Sequence, residues 1–551
     1  MRSAQTGAKR PVAKFAASVG SGLYPMVFRW HGLSFNPPAM KMFAPILFLM
    51  TLSLSVLPLA AELINQEGRI LGPLPVVTRP VLFNTNDADA VVSAMQIFPV
   101  TNPWNECISN RPLLANSDAM IAQINSDVDS SHRKLELFQE MNFVLLPDNQ
   151  PQVPVDFFYY PAESDLEGGI SPQGLYPIPT NLPIEGWPSQ TTPQTLAEWQ
   201  ANDDGSDRHA IMVEPGAGFI WETWLTSLAG TDWRASNGAK FNLNTNALRP
   251  DGWTSGDAAG FPMFPALVRY DECERGMVEH ACRLVVVNSR SQHIYPATHD
   301  AGSVSGQQTN YPAMGQRLRL KAGYVIPANW TTEEKALLLG LKKYGAMVSD
   351  NSSSFFSISI TPDDRWGSKL DHIINGSIGI TNFDVIQTTA PGEGPRSAGA
   401  AVANAGSDQT VAPGQAVPLK GFVSFSNTPP VILWKAYAGP GTVTFVNAAQ
   451  TNTTAIFSAP GTYTLELSAN DGVHAVAYDA VVITVANGIT VFIAPAGTNV
   501  NVSWVGGSPP YVVQGMESLP ATSWSNLVTT SANSTDLPIT NATGYFRVKG
   551  Q

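Results

Sequence analysis

Residues that can transfer protons or bind metals concentrate in four short segments in the middle of the chain. These segments are Asp207-Arg208-His209, Arg269-Tyr270-Asp271-Glu272, His280-Ala281-Cys282-Arg283, and Tyr295 with His299-Asp300. Imidazole titrates near neutral pH and binds metal ions, so His209, His280 and His299 are the first candidates for catalysis. If the strands of one sheet bring the three rings together, they predict a general acid/base pair or a divalent-metal site, although no ligand spacing requires a metal. The alternative is that each histidine is a hydrogen-bonded structural group or lies on the surface.

The second and third segments predict a β-hairpin. If Arg275-Gly276 forms a two-residue turn, Asp271 lies opposite His280 and could orient its ring. If Cys273 instead pairs with Cys282, Asp271 faces Leu284 and a disulfide simply staples the hairpin. A three-residue loop would give yet another pairing, so the register stays open.

Carboxylates and arginines suggest two kinds of polysaccharide chemistry. Glycoside hydrolysis needs two carboxylates, one as proton donor and one as base or nucleophile. Glu214 and Glu222 flank an aromatic strand that would suit this role. A polysaccharide lyase would neutralise a uronate with arginine and move a proton with histidine or tyrosine. The predicted catalytic residues are His209, His280, His299, Asp271, Arg208, Arg269 and Glu214, with Arg283, Tyr270 and Tyr295 as further residues of suitable type for a lyase.

Aromatic side chains supply the predicted substrate contacts. An indole offers a flat apolar face to a sugar ring and a polar edge that orients it. Several tryptophans lie in loops rich in Gly, Pro, Asn and Ser, although burial in a core is the alternative for each. The predicted substrate-binding residues are Trp187, Trp233, Trp253 and Tyr295.

The elements that must position these residues are mostly strands. Short apolar runs at 210–213 and 284–287 predict buried strands, and apolar residues alternate from Val153 to Tyr159. Thr331 and Glu334 form a capping box that predicts one helix ending at Gly345. A second helix is predicted to begin after Asn116 or Ser117. Residues 80–388 therefore predict a principal β-rich domain, sandwich or jelly-roll-like.

The start of the chain predicts export. Met40-Lys41-Met42 precedes an apolar run from Phe43 to Leu59, and Ala60-Ala61 offers a cleavage site. Residues 1–61 are thus interpreted as an upstream extension and a signal peptide. We expect a secreted or cell-surface protein without a stable membrane span after cleavage.

The net charge of the chain indicates which classes of polymer it can bind. The 551-residue chain has 32 basic and 44 acidic residues, and residues 62–391 hold 21 and 37 of them, a net charge of −16. Such a field repels nucleic acid and other polyanions. It favours a neutral polysaccharide over a uronate polymer.

The chain changes character after a linker at 389–401. Residues 402–486 contain Asn404-Ala405-Gly406-Ser407-Asp408-Gln409, Trp434, Pro460-Gly461-Thr462-Tyr463-Thr464-Leu465 and Asn470-Asp471-Gly472. This stretch resembles the PKD-type immunoglobulin-like domain, which implies a β-sandwich that spaces or attaches secreted proteins. Residues 488–551 are predicted to form a second small β module and resemble, through Ser503-Trp504 and Gly544-Tyr545-Phe546-Arg547-Val548, C-terminal modules of exported bacterial proteins.

The principal region carries a resemblance of its own. Its motifs include Asn102-Pro103-Trp104-Asn105, Asp207-Arg208-His209, Gly252-Trp253-Thr254-Ser255 and Tyr295-Pro296-Ala297-Thr298-His299. Through them residues 98–388 resemble an uncharacterised family of exported bacterial and fungal proteins, which implies no activity.

The sequence therefore predicts an exported glycan-active enzyme, most simply a hydrolase of a neutral polysaccharide. One alternative is a non-catalytic extracellular protein that binds glycans or lies at the cell surface. Another is a polysaccharide lyase. A polysaccharide or cell-surface glycan is the expected partner, and nucleic acid is not.

Overall fold

The computed structural model describes residues 63–550, apart from 189–192, 203, 303, 306–307, 388–398, 412–413, 427, 487–488, 508, 517–522 and 539–544. The predicted signal peptide and most of the predicted linker lie outside the described residues. The structure is mostly β, with 36% strand and 15% helix, followed by small β modules, which confirms the predicted fold class.

Two mixed sheets build the principal region. Sheet A runs in the order Val81–Leu82, Val144–Leu145, Ala210–Glu214, Phe219–Trp224 and Asn237–Asn242. Sheet B runs in the order Phe383–Val385, Arg317–Leu320, Ala346–Asn351, Cys282–Val286, Phe356–Ile360 and Leu135–Gln139. A smaller sheet C runs in the order Gln173–Tyr176, Val153–Phe157, Asp232–Ala235 and Ser227–Ala229.

The central strand of sheet A is apolar from Ala210 to Val213 and is buried on both faces. Ile211 and Val213 join the large core that sheet B shares, whereas Ala210 and Met212 join the core that sheet C shares. Successive side chains of a strand point to opposite faces, so a continuous apolar run is what a doubly covered strand requires. The predicted buried strand at 210–213 is confirmed.

The helices lie around these sheets. They are Asn86–Ala94, Ser117–Asp127, Leu196–Ala201, Tyr270–Arg275, Thr332–Lys343 and Asp371–Ile374. Thr331 and Glu334 cap the fifth helix as predicted, and the second helix begins after Asn116. Within the described ranges, none of the helices has the length and apolarity needed to cross a membrane.

The predicted hairpin around residue 275 is wrong, because residues 270–275 form a helix. The Arg269 N–H donates to Glu272 Oε1 at 2.9 Å, and Gly276 ends the helix with a φ of 93°. Asp271 therefore pairs with Arg275 one turn away, not with His280. Local capping outweighed the strand pattern here.

The two cysteines that could have stapled this hairpin carry free thiols. Cys273 lies on the helix and Cys282 begins a strand of sheet B, and both are buried. The alternative prediction of a disulfide between Cys273 and Cys282 is therefore wrong.

A segment that we call the strap (residues 63–72) is tied to the principal region. Arg69 forms an ion pair with Glu279 at 2.8 Å, and the Tyr344 hydroxyl donates to Glu67. The strap is thus held by partners far along the chain.

The C-terminal part forms two modules with their own cores. Residues 402–485 form three sheets. One pairs Val402–Asn404 with Phe422–Ser424, and a second runs in the order Gln409–Val411, Ala477–Val485, Gly461–Asn470 and Val431–Ala438. The third runs in the order Val417–Lys420, Asn452–Phe457 and Val443–Phe445. The last module has Thr490–Ala496, Asn499–Val505 and Ser534–Pro538 in one sheet and Ser525–Thr530, Tyr511–Met516 and Tyr545–Lys549 in the other. Trp434 and Trp504 are buried at their centres.

Candidate functional site

Sheet B has one apolar and one polar face, and the candidate site begins on the polar one. Phe356, Ile358 and Ile360 point into the large core. Ser357 and Ser359 therefore face the other way, since side chains alternate along a strand. Arg283 on the neighbouring strand donates to Ser359 Oγ at 3.2 Å and so lies on the same face.

Arg283 is buried and holds two carboxylates. Its guanidinium contacts Asp257 at 3.1 and 3.2 Å and Asp350 at 2.7 Å. Burial raises the pKa of Asp257 to about 6 although Arg283 lowers it. Burial likewise raises the pKa of Asp350. One cation between two acids leaves a net negative site.

A second buried pair lies at the start of the central strand of sheet A. His209 Nδ1 lies 2.7 Å from Glu185 Oε2, and the His209 N–H donates to the same oxygen at 3.0 Å. Burial lowers the pKa of His209, but the Glu185 charge outweighs it and raises the value to about 9. The pKa of Glu185 is lowered, because His209 overcomes the effect of burial. The pair is therefore ionic at neutral pH.

Glu140, which follows the edge strand Leu135–Gln139 of sheet B, is a further acid of this site. Burial and the Glu185 charge raise its pKa to about 7, while Arg283 and His209 oppose the rise. Within the part of the chain that the structure describes, no side chain or N–H donates a hydrogen bond to its carboxylate. Its side chain is half-buried, so it keeps contact with solvent. We call Glu140, Glu185, His209, Asp257, Arg283, Asp350 and the exposed Asp207 the acidic cluster, because their charges act on the pKa values of Glu140, His209, Asp257 and Asp350.

Glu222 lies near this cluster and is fully buried. Its Oε1 accepts from the N–H groups of Met263 and Phe264 at 2.8 and 3.1 Å. Its Oε2 has no partner among the described residues. Burial raises its pKa to about 8, so the carboxyl is protonated at neutral pH.

Only His209 of the predicted catalytic residues belongs to the acidic cluster. Arg208 points elsewhere, donating to the carbonyls of Thr226 and Trp199 at 2.9 and 2.7 Å. Glu214 ends the strand that His209 precedes, so the two lie about 16 Å apart along it. The Trp221 indole donates to Glu214 at 2.7 Å, a structural contact.

His280, Arg269 and Asp271 belong to a separate group of ion pairs. His280 Nε2 lies 3.1 Å from Glu272, which also accepts from Arg269 at 3.1 Å. Burial raises the pKa of Glu272, but Arg269 and His280 outweigh it and lower the value to about 2. This group links the first turn of the helix at 270–275 to His280.

His299 has a third environment. Its Nδ1 lies 2.7 Å from the Ala258 carbonyl, beside Asp257 in the chain. The three predicted histidines thus have different partners. Among the described residues, no group of three or more His, Cys, Asp and Glu side chains is arranged to hold a metal.

The predicted substrate-binding aromatics are half-buried. Trp187 packs against both cores, Trp233 packs against the core beneath sheet C, and Trp253 lies 5.5 Å from the Arg249 guanidinium. Tyr295 is also half-buried, and burial raises its pKa. Their role in binding substrate stays a prediction.

Sequence reasoning missed Glu140 and Glu185 because each stands alone in its segment. Two local signals point towards their partners. The alternation Phe356-Ser357-Ile358-Ser359-Ile360 marks a strand with one polar face. Arg283 interrupts an otherwise apolar strand, where a charge requires a buried partner.

One family model matches the chain. It describes a PKD domain and matches residues 405–485, so this stretch is a PKD-type domain, as predicted. Comparison with curated proteins finds no match. The predicted exported family for residues 98–388 stays a prediction.

Solved structures give only weak likenesses. "Domains A168-A170 from titin" match with 14% identity and a TM-score of 0.14, covering 30% of this chain and 73% of that chain. The D0-D1 domain of intimin matches with 14% identity and a TM-score of 0.13, covering 27% of this chain and 89% of that chain. The apo structure of Bacteroides uniformis beta-glucuronidase 3 matches with 10% identity and a TM-score of 0.12, covering 28% of this chain and 23% of that chain. TM-scores this low identify neither a fold nor a function for this chain.

Proposed function

We propose that the acidic cluster is the catalytic centre of an extracellular hydrolase that acts on a neutral polysaccharide. The observation that carries the proposal is that two neighbouring carboxyl groups have different surroundings. The Gly186 N–H donates to the Glu140 carbonyl at 3.0 Å, which brings Glu185 close to Glu140, and the backbone N–H and ring of His209 contact the Glu185 carboxylate alone. Glu140 has a pKa of about 7, whereas that of Glu185 is lowered. Two carboxyl groups whose environments separate their pKa values supply an acid and a base at one pH. The PKD-type domain adds support, since such domains are typical of extracellular proteins.

The roles follow from the charges. Protonated Glu140 donates its proton to the leaving glycosidic oxygen, and ionised Glu185 acts as nucleophile or activates water. His209 holds Glu185 through two hydrogen bonds and keeps it ionised. Arg283 offsets the repulsion that Asp257 and Asp350 would otherwise add.

The arrangement favours hydrolysis over the lyase alternative. A lyase needs an arginine that is available to neutralise the uronate carboxylate. Arg283 is already engaged by two carboxylates of the protein, and the surrounding region carries a net charge of −16. A polyanionic substrate would meet repulsion there.

The test is an assay of the full chain against neutral polysaccharides and uronate polymers. New reducing ends on a neutral polymer are the expected product, and Glu140→Gln is expected to lower the rate about 10²- to 10⁴-fold because the proton donor is lost. Glu274→Gln makes the same change at an exposed site outside the cluster and should leave the rate unchanged.

Three outcomes decide the proposal. A folded Glu140→Gln variant of unchanged rate would exclude the assigned acid. Absorbance from unsaturated products would indicate a lyase. The absence of any product across the panel would contradict both enzyme assignments and leave the non-catalytic alternative.

The pH profile is a second test of the same roles. Glu140 acts only when protonated, and its pKa is about 7, so kcat/KM should fall as the pH rises through about 7. A profile that is flat from pH 6 to 8 would contradict the role of Glu140 as the proton donor.

A further inference from the structure

Three consecutive aromatic residues stand exposed after a strand of sheet C. Phe157 ends the strand and is fully buried, but Phe158, Tyr159 and Tyr160 are 37%, 64% and 40% exposed. The predicted alternation of apolar residues therefore stops at Phe157, and Tyr159 faces solvent. Clustered exposed aromatics on a soluble protein mark an interaction site.

These rings form a continuous row with Trp224. The Phe158 and Tyr159 centroids are 4.7 Å apart, and Tyr159 and Tyr160 are 6.4 Å apart. Tyr160 then stacks on Trp224, with 6.4 Å between centroids and 26° between planes. We call these four residues the aromatic ridge.

The backbone holds the ridge in place. The N–H of Phe158 donates to the Ala235 carbonyl at 3.0 Å, and those of Tyr159 and Tyr160 donate to the Ser236 carbonyl at 3.2 and 3.0 Å. Rings fixed on an ordered backbone lose little conformational entropy when a ligand binds.

Polar groups lie at both ends of the ridge. Arg234 lies 5.1 Å from the Phe158 ring and pairs with Asp156 at 3.8 Å. At the other end, the Trp224 indole donates to Asp207 at 3.3 Å, and Asp207 belongs to the acidic cluster. The ridge therefore reaches Asp207, the exposed member of the acidic cluster.

We propose that the aromatic ridge binds a chain of neutral sugar units and presents it to the acidic cluster, an inference that rests on the proposed function. Sugar rings have apolar faces that pack on aromatic rings and hydroxyls that bond to polar groups at the edges. A row of four rings suits a ligand with repeated rings better than a single small molecule. The acidic surroundings favour an uncharged chain.

The experiment measures binding and hydrolysis separately. The full chain carrying Glu140→Gln is run through native gels containing soluble β-glucan, xylan or galactomannan, with alginate as the polyanionic comparison. A neutral polymer should retard the protein, and adding Tyr159→Ala should lower its affinity about 3- to 10-fold. Phe158→Ala combined with Tyr159→Ala is the second ridge variant, since one ring of the row can compensate for the loss of its neighbour.

Phe422→Ala provides the matched control. Phe422 in the PKD-type domain is 64% exposed, like Tyr159, so its loss removes a similar apolar surface elsewhere. The affinity of the Phe422→Ala variant for the neutral polymer should be unchanged. The ridge would be overturned as the binding site if Phe422→Ala and Tyr159→Ala lost the same affinity for the polymer. It would also be overturned if both ridge variants kept the affinity of the chain from which they were made. Retardation by alginate alone would also overturn it.

The two proposals can fail independently. If the chain with native Glu140 binds a neutral polymer through the ridge but never cleaves it, the ridge stands and the hydrolase does not. If it cleaves a polymer and both ridge variants keep the KM of the unmodified chain, the hydrolase stands and the ridge does not.

Discussion

The principal region and the PKD-type domain are both rich in strands, but they bury very different side chains. The described residues of 402–485 bury few ionisable side chains of the acidic and basic types, among them Glu466 and Asp471, whose side chains are 1% and 5% exposed. The described part of the principal region buries many more, among them Glu106, Arg208, His209, Glu222, Arg249, Asp257, Arg269, Asp271, Glu272, His280, Arg283, Arg317, Glu333 and Glu334.

The difference shows what each region is built for. Apolar cores such as that around Trp434 stabilise a fold at little cost in desolvation. Buried ion pairs often add no net stability compared with apolar residues of the same size. Charged groups with shifted pKa values cluster at functional sites, which is why we assign chemistry to the principal region.

The largest expected effect comes from removing the central cation of the acidic cluster. Arg283→Met leaves the buried Asp257 and the half-buried Asp350 without their partner, which should destabilise the principal region by about 3–5 kcal/mol at pH 8. The loss should be smaller at pH 5, where Asp257 takes up a proton. Urea unfolding of the full chain at both pH values measures it.

Arg79→Met is the control for this variant. Arg79 forms a pair with Asp87 in which both side chains are more than 70% exposed, so its removal should cost about 0–1 kcal/mol. Equal losses in the two variants would contradict the view that buried charge distinguishes the principal region.

The second prediction concerns the apolar core of the other region. Trp434→Ala removes an almost fully buried indole and should destabilise the PKD-type domain by about 3–5 kcal/mol. Calorimetry should show one transition moving and the principal one unchanged. A shift of every transition by the same amount would show that the two regions unfold as one unit.

The sequence predicted what local patterns determine. The capping box of Thr331 and Glu334 involves residues near one another in the chain, so its outcome could be foreseen. The acidic cluster joins segments far apart: Arg283 meets Asp257 and Asp350 at separations of 26 and 67 residues. The spacing of residues within a short segment of the sequence cannot predict such contacts. Glu272 was misread because its strand pattern competes with a helix cap.

A smaller effect should follow from replacing the buried acid Glu222. Its folded-state pKa of about 8 lies above the ordinary value of 4.5, so the folded protein loses stability as the pH rises from about 4.5 through 8. His209 adds to this fall, since its contribution is lost through about pH 9. Glu222→Gln cannot ionise, so its stability relative to the unmodified protein should rise between pH 5 and pH 8.5 by at most about 4 kcal/mol.

Thermal unfolding at a series of pH values checks this prediction, and Glu466→Gln applies the same change in the PKD-type domain. Burial also raises the pKa of Glu466, but its neighbour Lys435 opposes the rise, so the gain should be smaller there. A constant difference between Glu222→Gln and the unmodified protein at all pH values would contradict the assigned titration.

The smallest expected effect lies in one hydroxyl of the PKD-type domain. The Tyr463 hydroxyl donates to the Ala459 carbonyl at 2.8 Å, the tyrosine-corner contact of immunoglobulin-like sandwiches. Tyr463→Phe keeps the buried ring and loses one hydrogen bond, so it should cost about 1 kcal/mol. Calorimetry of the PKD-type transition measures it, and a loss as large as that of Trp434→Ala would contradict the assignment.

The strap cannot take its final place in a growing chain until partners much later in the sequence have been synthesised. Arg69 and Glu279 are separated by 210 residues, and Glu67 and Tyr344 by 277. At about 5–20 residues per second, synthesis takes roughly 15 s to a minute to deliver Tyr344 after Glu67 has emerged. During that interval the strap lacks first its ion pair with Glu279 and then its hydrogen bond from Tyr344, so a segment that is made early is among the last to be fixed in place.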